Sequence, residues 1–379
     1  MFDKYKANDI TKLYLEKYRQ LVKIWELKDF PDNIKDTDIQ LNSLLNIYIE
    51  PTNRCNFNCA FCARNNMTRT YDMMDLSLFQ QIVDAIPKGS YITLTGHGEP
   101  TLNVHIYEMI TYAAEKKMIV SLITNGSTLN KANREKLIHS GISRVQLSFQ
   151  SLDKNTNDRL MGGKFERDLL NILSFINEVR ETKRNIYLSI SRVNIEDSDA
   201  YADVTRRFWQ KLPIDNYYEG ELLSLQTESG MFHMQNKEYY LPCATPWIDV
   251  HINADGSVPA CLQDWNNRYL LGNVKDNSLM DILNSAEALK FRKALLLGDW
   301  EYLESIGYSG CRSCNCWHEE AKGCIRDVFD INIPIRIGLV IDAIAGRRPE
   351  DTDFLKEAIS MLESGETDFI HTLMQERQT

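Results

Sequence analysis

Cys55-Asn56-Phe57-Asn58-Cys59-Ala60-Phe61-Cys62 stands just past the apolar run Leu45-Asn46-Ile47-Tyr48-Ile49. Three thiolates so closely spaced suit a four-iron cluster and leave one iron open for chemistry. A ferredoxin cluster asks for a fourth cysteine, and a structural zinc site closes its tetrahedron. A zinc knuckle completed from elsewhere in the chain is the bland alternative.

Outward from this loop, strand-like and helix-like runs alternate. Strands are expected near 45–49, 91–95, 119–124, 144–149, 186–192 and 216–219, with helices near 76–86, 103–117, 130–140, 166–182 and 197–211. Such alternation predicts a parallel sheet of six strands with helices outside. Two strands alternate cleanly: Val145, Leu147 and Phe149 against Gln146, Ser148 and Gln150, and Ile186, Leu188 and Ile190 against Tyr187, Ser189 and Ser191. One face is therefore polar, which predicts an incompletely closed barrel with a polar lumen. An antiparallel sheet with one wet face is the rival, and the intervening helices argue against it.

The 379 residues, 43% of them hydrophobic, allow one large core and a smaller attached one. The Met1-Phe2-Asp3-Lys4 start lacks the apolar segment of a signal peptide, and no run spans a membrane, so a soluble cytoplasmic protein is expected. The net charge of −10 disfavours nucleic acid as a partner. Nine cysteines in close groups read as metal ligands rather than disulfides. Residues 1–43 carry one helical pattern (Leu13, Tyr14, Tyr18, Leu21, Val22, Trp25) ended by Pro31. The expected divisions are 44–220 for the barrel, 221–240 for a bridge, 241–330 for a second cysteine region and 331–379 for C-terminal helices near 333–345 and 354–362.

Several motifs fall at strand ends. Thr95-Gly96-His97-Gly98-Glu99-Pro100 is a glycine-rich turn that lets main chain approach a ligand, with His97 read as a surface turn residue in preference to a proton carrier. Thr124-Asn125-Gly126 closes the third strand, Ser148 and Gln150 lie near the mouth, and Arg192 ends the fifth strand as a ligand contact or an ordinary ion pair. Glu219, Glu221 and Asp264 are candidate bases or solvated acids. Farther on, Asp255-Gly256-Ser257-Val258-Pro259-Ala260 reads as a hairpin turn that delivers Cys261 on the following strand. Cys243, Cys261, Cys311 and Cys314 suffice to wrap one four-iron cluster, and a zinc ion using the same four, or Cys316 and His318, is the alternative.

The C-x3-C-x2-C trio, with Phe61 before its last cysteine, resembles the signature of the radical S-adenosylmethionine (SAM) superfamily. The resemblance implies a partial (β/α)6 barrel with Cys55, Cys59 and Cys62 holding a [4Fe–4S] cluster. SAM chelates its open iron and is cleaved to a radical that abstracts hydrogen from carbon. The turn at 96–100 resembles the family's Gly-Gly-Glu-Pro element, with a Gly-His-Gly that departs from it, and so implies SAM contacts at Gly96, Gly98, Glu99 and Pro100. Phe61, Asn125, Ser148, Gln150 and Arg192 are the further SAM contacts expected. The Cys243-to-Cys314 pattern resembles the auxiliary-cluster region of SPASM and twitch enzymes and implies one auxiliary [4Fe–4S] cluster, as in the twitch-type aminocyclitol dehydrogenase branch. Oxidation of a sugar or aminocyclitol is then expected, with a flavodoxin- or ferredoxin-like reductant; a peptide maturase or epimerase and a non-enzymatic iron–sulfur or zinc protein are the alternatives. Arg192 and Glu219 are catalytic candidates, and Cys316 and Cys324 are buried thiols, replacement ligands or hydrogen donors.

Overall fold

The computed structural model describes residues 35–41, 46–195, 201–221, 245–308, 311 and 352–365. The six expected strands are present: β1 (Asn46–Ile49), β2 (Tyr91–Leu94), β3 (Ile119–Thr124), β4 (Arg144–Ser148), β5 (Tyr187–Asn194) and β6 (Asn216–Glu221). They pair in parallel in sequence order, and a seventh, β7 (Asp249–Ile252), adds in parallel to the open edge of β1. Parallel neighbours need long crossovers, and the helices Leu76–Ala85, Ile106–Glu115, Lys131–His139, Phe165–Glu181 and Ala202–Lys211 supply them. Side-chain caps fix where three helices begin. Asp75 accepts from the Leu78 N–H, Asn130 from the Asn133 N–H and Asp153 from the Thr156 N–H, the last at the start of an additional helix, Lys154–Met161.

The two sheet faces differ as the alternation predicts. Ile47, Ile92, Val120, Val145 and Leu188 are buried under the helices. Tyr48, Thr93, Ser121, Gln146 and Ser189 line the opposite, inner face, because successive strand residues point to opposite sides. The helix Asp353–Glu363 packs on Phe165–Glu181, and Phe354 meets the Phe208 ring at 5.7 Å. The expected helix at 333–345 and most of the N-terminal extension lie outside the described residues.

β7 corrects the reading of the second cysteine region. The turn after it is tight, with the Asn253 N–H donating to the Ser257 carbonyl and the Gly256 N–H to the Asn253 carbonyl, both at 2.9 Å. Its two arms nevertheless go to different sheets: β7 joins the barrel, whereas β8 (Ser257–Pro259) pairs antiparallel with β9 (Leu270–Asn273). Cys261 follows β8 in a loop rather than lying on a strand. The Asp249-Val250-His251-Ile252 alternation matches that of β1, so β7 covers its edge without exposing an apolar face.

The N-terminal segment reaches the second region. Leu41 exchanges main-chain hydrogen bonds with the Asn284 side chain at 2.7 and 2.9 Å. Buried Arg292 donates to the carbonyls of Ile39 and Leu283. Burial pushes its guanidinium down to about 10.

Candidate active site at the barrel mouth

Residues 51–75 leave the end of β1 and return to the helix Leu76–Ala85 through a closed neck. Thr52 and Met73 form an antiparallel bridge, and the Met74 N–H donates to the Pro51 carbonyl at 2.9 Å. Asn53 donates to the Thr70 carbonyl at 2.9 Å and accepts from the Asp72 N–H at 2.7 Å. The cysteine trio lies beyond this neck, half-buried. Its turn is held by the Cys62 N–H on the Cys59 carbonyl, the Ala60 N–H on the Leu160 carbonyl and Arg64 Nη2 on the Phe57 carbonyl. Asn56 ties the same turn to the end of β3, exchanging hydrogen bonds with Ser127 at 2.8 Å and Asn125 at 3.1 Å.

Burial pushes all three thiols up, and the charges of Cys62 and Cys55 add to the rise at Cys59. Among the described residues no three His, Cys, Asp or Glu side chains converge on a single-ion site. The fit to an iron–sulfur cluster therefore rests on donor chemistry: three soft sulfurs whose shared negative charge a positively charged iron core relieves.

The 95–100 turn is seated directly on this loop. A Cβ on Gly98 would come within 2.2 Å of the Thr52 carbonyl and 2.5 Å of the Arg54 carbonyl, so only glycine permits the approach. The Glu99 N–H then donates to the Arg54 carbonyl at 2.8 Å. The Glu99 carboxylate is buried and accepts four hydrogen bonds: from the Thr101 N–H and hydroxyl, the Thr124 hydroxyl and the Asn125 N–H. Burial nonetheless pushes its carboxyl up. This side chain laces the ends of β2 and β3 together, a scaffolding task that sequence reading did not foresee.

A second buried acid organises the rim. Glu50, fully buried, takes Arg69 Nη2 on both oxygens at 3.0 and 3.1 Å, the His97 N–H at 3.0 Å and the Ala254 N–H at 3.3 Å. Burial alone would push it up, but Arg69, His97 and His251 outweigh that and hold it below its ordinary value. Arg69 Nε reaches on to the Trp265 carbonyl at 2.7 Å. Asn266 adds two links, accepting from the Thr68 N–H at 2.6 Å and donating to the Asn66 carbonyl at 3.2 Å. The loop that bears Cys55–Cys62 and the loop that follows Cys261 are thus fastened together.

Within the second loop, Asp264 accepts from the N–H groups of Arg268 and Tyr269 and from the Tyr308 hydroxyl at 3.1 Å. Tyr308 is buried, its phenol pushed up by that burial and by the charges of Asp264, Cys261 and Cys311. Cys261 and Cys311, fifty residues apart in sequence, therefore flank one phenol. Cys243, Cys314, Cys316, His318 and Cys324 lie outside the described residues, as does the Glu221 side chain.

Several expected ligand contacts have other partners. Arg192 stands in register with Glu219, on the face of Leu188 and Ile190 rather than that of Ser189 and Ser191. It meets Glu219 at 3.4 Å, and Glu219 also takes Arg206 at 3.2 Å and the Tyr217 hydroxyl at 3.0 Å. The parity of the strand sets both on the helix side of the sheet, and for Arg192 the ion-pair alternative is the contact seen. Gln150 is bonded in both directions to the Val193 main chain, extending the β4–β5 ladder. Asp264 organises its own loop. Ser148 does face inward, in register with Ser191. Phe61 is half-buried on the cysteine loop, and Pro100 opens the one-turn helix that Glu99 caps.

The inner face also holds a residue not singled out from sequence. His251 on β7 is buried, 6.4 Å in ring centroid from both Tyr48 and His97. Burial pushes it down to about 4 and pushes His97 down as well. Its strand was not foreseen, so the alternation that aims it inward could not be read.

Residues 49–200 match the family model of the radical SAM superfamily, and residues 243–315 that of the SPASM iron–sulfur cluster-binding domain. The tungsten-containing aldehyde ferredoxin oxidoreductase cofactor-modifying protein of Pyrococcus furiosus is 22% identical over 295 residues, 65% of this chain and 82% of that one. The mycofactocin maturase of Mycolicibacterium smegmatis is 26% identical over 324 residues, 76% of this chain and 79% of that one. The solved structure of anSMEcpe with bound AdoMet superposes with a TM-score of 0.53 at 15% identity, over 78% of this chain and 99% of that one, a likeness of fold. Among the described residues no helix is long and apolar enough to cross a membrane.

Proposed function

The chain belongs to the radical SAM superfamily, with a SPASM iron–sulfur domain following its barrel, and from that premise we propose that it oxidises a hydroxylated small molecule, a sugar or aminocyclitol. In this reading Cys55, Cys59 and Cys62 hold the [4Fe–4S] cluster at which SAM binds, and Cys243, Cys261, Cys311 and Cys314 hold an auxiliary one. With that cluster reduced by a flavodoxin- or ferredoxin-like donor, SAM bound there would supply the 5′-deoxyadenosyl radical that takes a hydrogen atom from carbon, and the auxiliary cluster would accept the remaining electron as the substrate loses a proton.

The chain's own residues prepare that event. Glu99 and Gly98 seat the cysteine loop on the ends of β2 and β3, and the curved sheet walls off the lumen. Arg69 and Asn266 hold the Cys261 loop against the first. An oxidation calls for such proximity, since the substrate must give up an electron and a proton besides the hydrogen atom. The observation that carries the substrate class is the inner face, lined by the hydroxyl and amide groups of Thr93, Ser121, Gln146, Ser189 and Ser191, which match neutral polar groups on a ligand.

A second reading, modification of a peptide, draws on the likeness to the mycofactocin maturase over three-quarters of the chain. The test is anaerobic reconstitution followed by reductive SAM cleavage with sugars, cyclitols and peptides in turn. About eight irons per chain, falling to about four in the Cys55/Cys59/Cys62 triple alanine variant, is the expected content. The expected product is a ketone or aldehyde formed in step with 5′-deoxyadenosine. Turnover with peptides alone would transfer the assignment to the second reading.

A further inference from the structure

Of the four cysteines assigned above to the auxiliary cluster, Cys261 and Cys311 fall among the described residues, and one side chain joins their loops. The Tyr308 carbonyl accepts the Cys311 N–H at 3.1 Å, while the Tyr308 hydroxyl donates to Asp264 Oδ2 at 3.1 Å. Asp264 closes the turn that begins at Cys261, its N–H donating to the Cys261 carbonyl at 3.0 Å. The phenol is buried edge-on against the rings of Phe291 at 5.0 Å and Tyr269 at 6.1 Å, which leaves it little room to shift. Two soft sulfurs brought to one phenol suit part of the donor set of an iron–sulfur cluster.

Asp264 places a charge in the same spot. It is 8% exposed, and both of its carboxylate oxygens accept: Oδ1 from the Arg268 N–H at 2.8 Å, Oδ2 from the Tyr269 N–H at 2.9 Å and from the Tyr308 hydroxyl. All three donors are neutral groups, so they stabilise the anion without cancelling it. The charges of Asp264, Cys261 and Cys311 all reach the Tyr308 phenol, which gathers the carboxylate and both sulfurs around one ring. A cluster that takes up an electron there gains negative charge beside a fixed anion, where burial weakens screening. The Gln263 N–H donates to Cys261 Sγ at 3.4 Å, a contact that favours the reduced state, but one neutral N–H opposes only part of a full charge.

We infer that Asp264, held in place by Tyr308, keeps the reduction potential of the auxiliary cluster low, so that the electron it takes from substrate passes on to a one-electron carrier instead of being retained. The inference rests on the auxiliary cluster and the oxidation proposed above, in which the substrate gives up a hydrogen atom, a proton and this one electron. Tyr308 is a positioning residue in this role, acting through the carboxylate.

The experiment uses the full-length chain, anaerobically reconstituted in the Cys55/Cys59/Cys62 triple alanine background, so that the auxiliary cluster alone gives the signal. A mediated dithionite titration followed by EPR reads its midpoint potential. Asp264→Asn should raise the reduction equilibrium at least tenfold, about 59 mV for one electron. Asp264→Glu, which keeps the charge, should return the midpoint toward that of the parent. Tyr308→Phe keeps the carboxylate and should leave the midpoint at or below the parent value. An unmoved midpoint in Asp264→Asn would overturn the inference, and so would an equal rise in Tyr308→Phe, because distortion would then account for both. Asp264→Ser repeats the neutral substitution should Asp264→Asn fail to take up iron, and loss of iron in both would replace tuning with a role in assembly. Iron content separates this failure from that of the underlying reading. About four irons per chain with an unmoved midpoint sink this inference alone, whereas no iron in the triple alanine parent removes the auxiliary cluster itself.

Discussion

The rim of the barrel and the row of side chains just beneath it are built from opposite kinds of polar chemistry. At the rim, Glu50 and Glu99 are buried carboxylates with eight hydrogen bonds between them, all to this chain. Two residues lower on β1, at Tyr48, the inner row leaves the His251 ring nitrogens and the Ser121 hydroxyl unpaired. The difference teaches where each polar group acts. A fully satisfied network fixes the position of the loops that carry the cysteines, whereas the unpaired groups below it are buried at a cost to the fold.

Breaking the rim has the largest expected effect. Arg69→Met leaves the Glu50 carboxylate buried without its cation, a loss of about 3–5 kcal/mol, to be read as a lower urea midpoint of the metal-free protein. Because Glu50 is held below its ordinary value of 4.5, its contribution is fully present above that pH and lost as pH falls through the folded value. A variant as stable as the wild type would erase the contrast.

His251 comes next, and its contribution is likewise lost toward acid, here because a buried neutral imidazole must take on charge. Burial lowers its titration from 6.5 to about 4, so between those values the unfolded chain binds a proton that the folded chain does not. Stability should decline as pH drops through this window, by about 3 kcal/mol. His251→Gln should flatten that decline in pH-dependent unfolding, and an unaltered slope would mean that the imidazole is wetter than its position implies.

The smallest effect sharpens the comparison most. Ser121→Ala removes a hydroxyl with no partner, so stability should stay the same or rise by up to about 1 kcal/mol. A loss of stability comparable to that of Arg69→Met would make Ser121 part of the scaffold.

Much of this protein is legible in one dimension. The Cys55–Cys62 spacing, six strands within a residue or two of their positions, the crossover helices and a polar inner face all follow from local pattern, because pleating and helical turn repeat every two or about 3.6 residues. The helix 353–363 was legible for the same reason. What local pattern does not carry is which partner comes within reach. Glu99 and Gln150 gain their protein partners only where β3 and β5 lie beside them, and Arg192, set by parity on the side of Leu188 and Ile190, gains Glu219 only from the register of β5 with β6. β7 was hidden because four residues next to a turn read equally well as a hairpin arm, and the choice depended on the open edge of β1 two hundred residues earlier. The Arg69–Trp265 hydrogen bond spans 196 residues in sequence. By itself the sequence determined the chemistry that the chain can host and the faces of its strands. Only the tertiary structure decided which polar groups the scaffold pairs and which it leaves unpaired, because hydrogen bonds and ion pairs act over about 3 Å between atoms that the chain order keeps far apart.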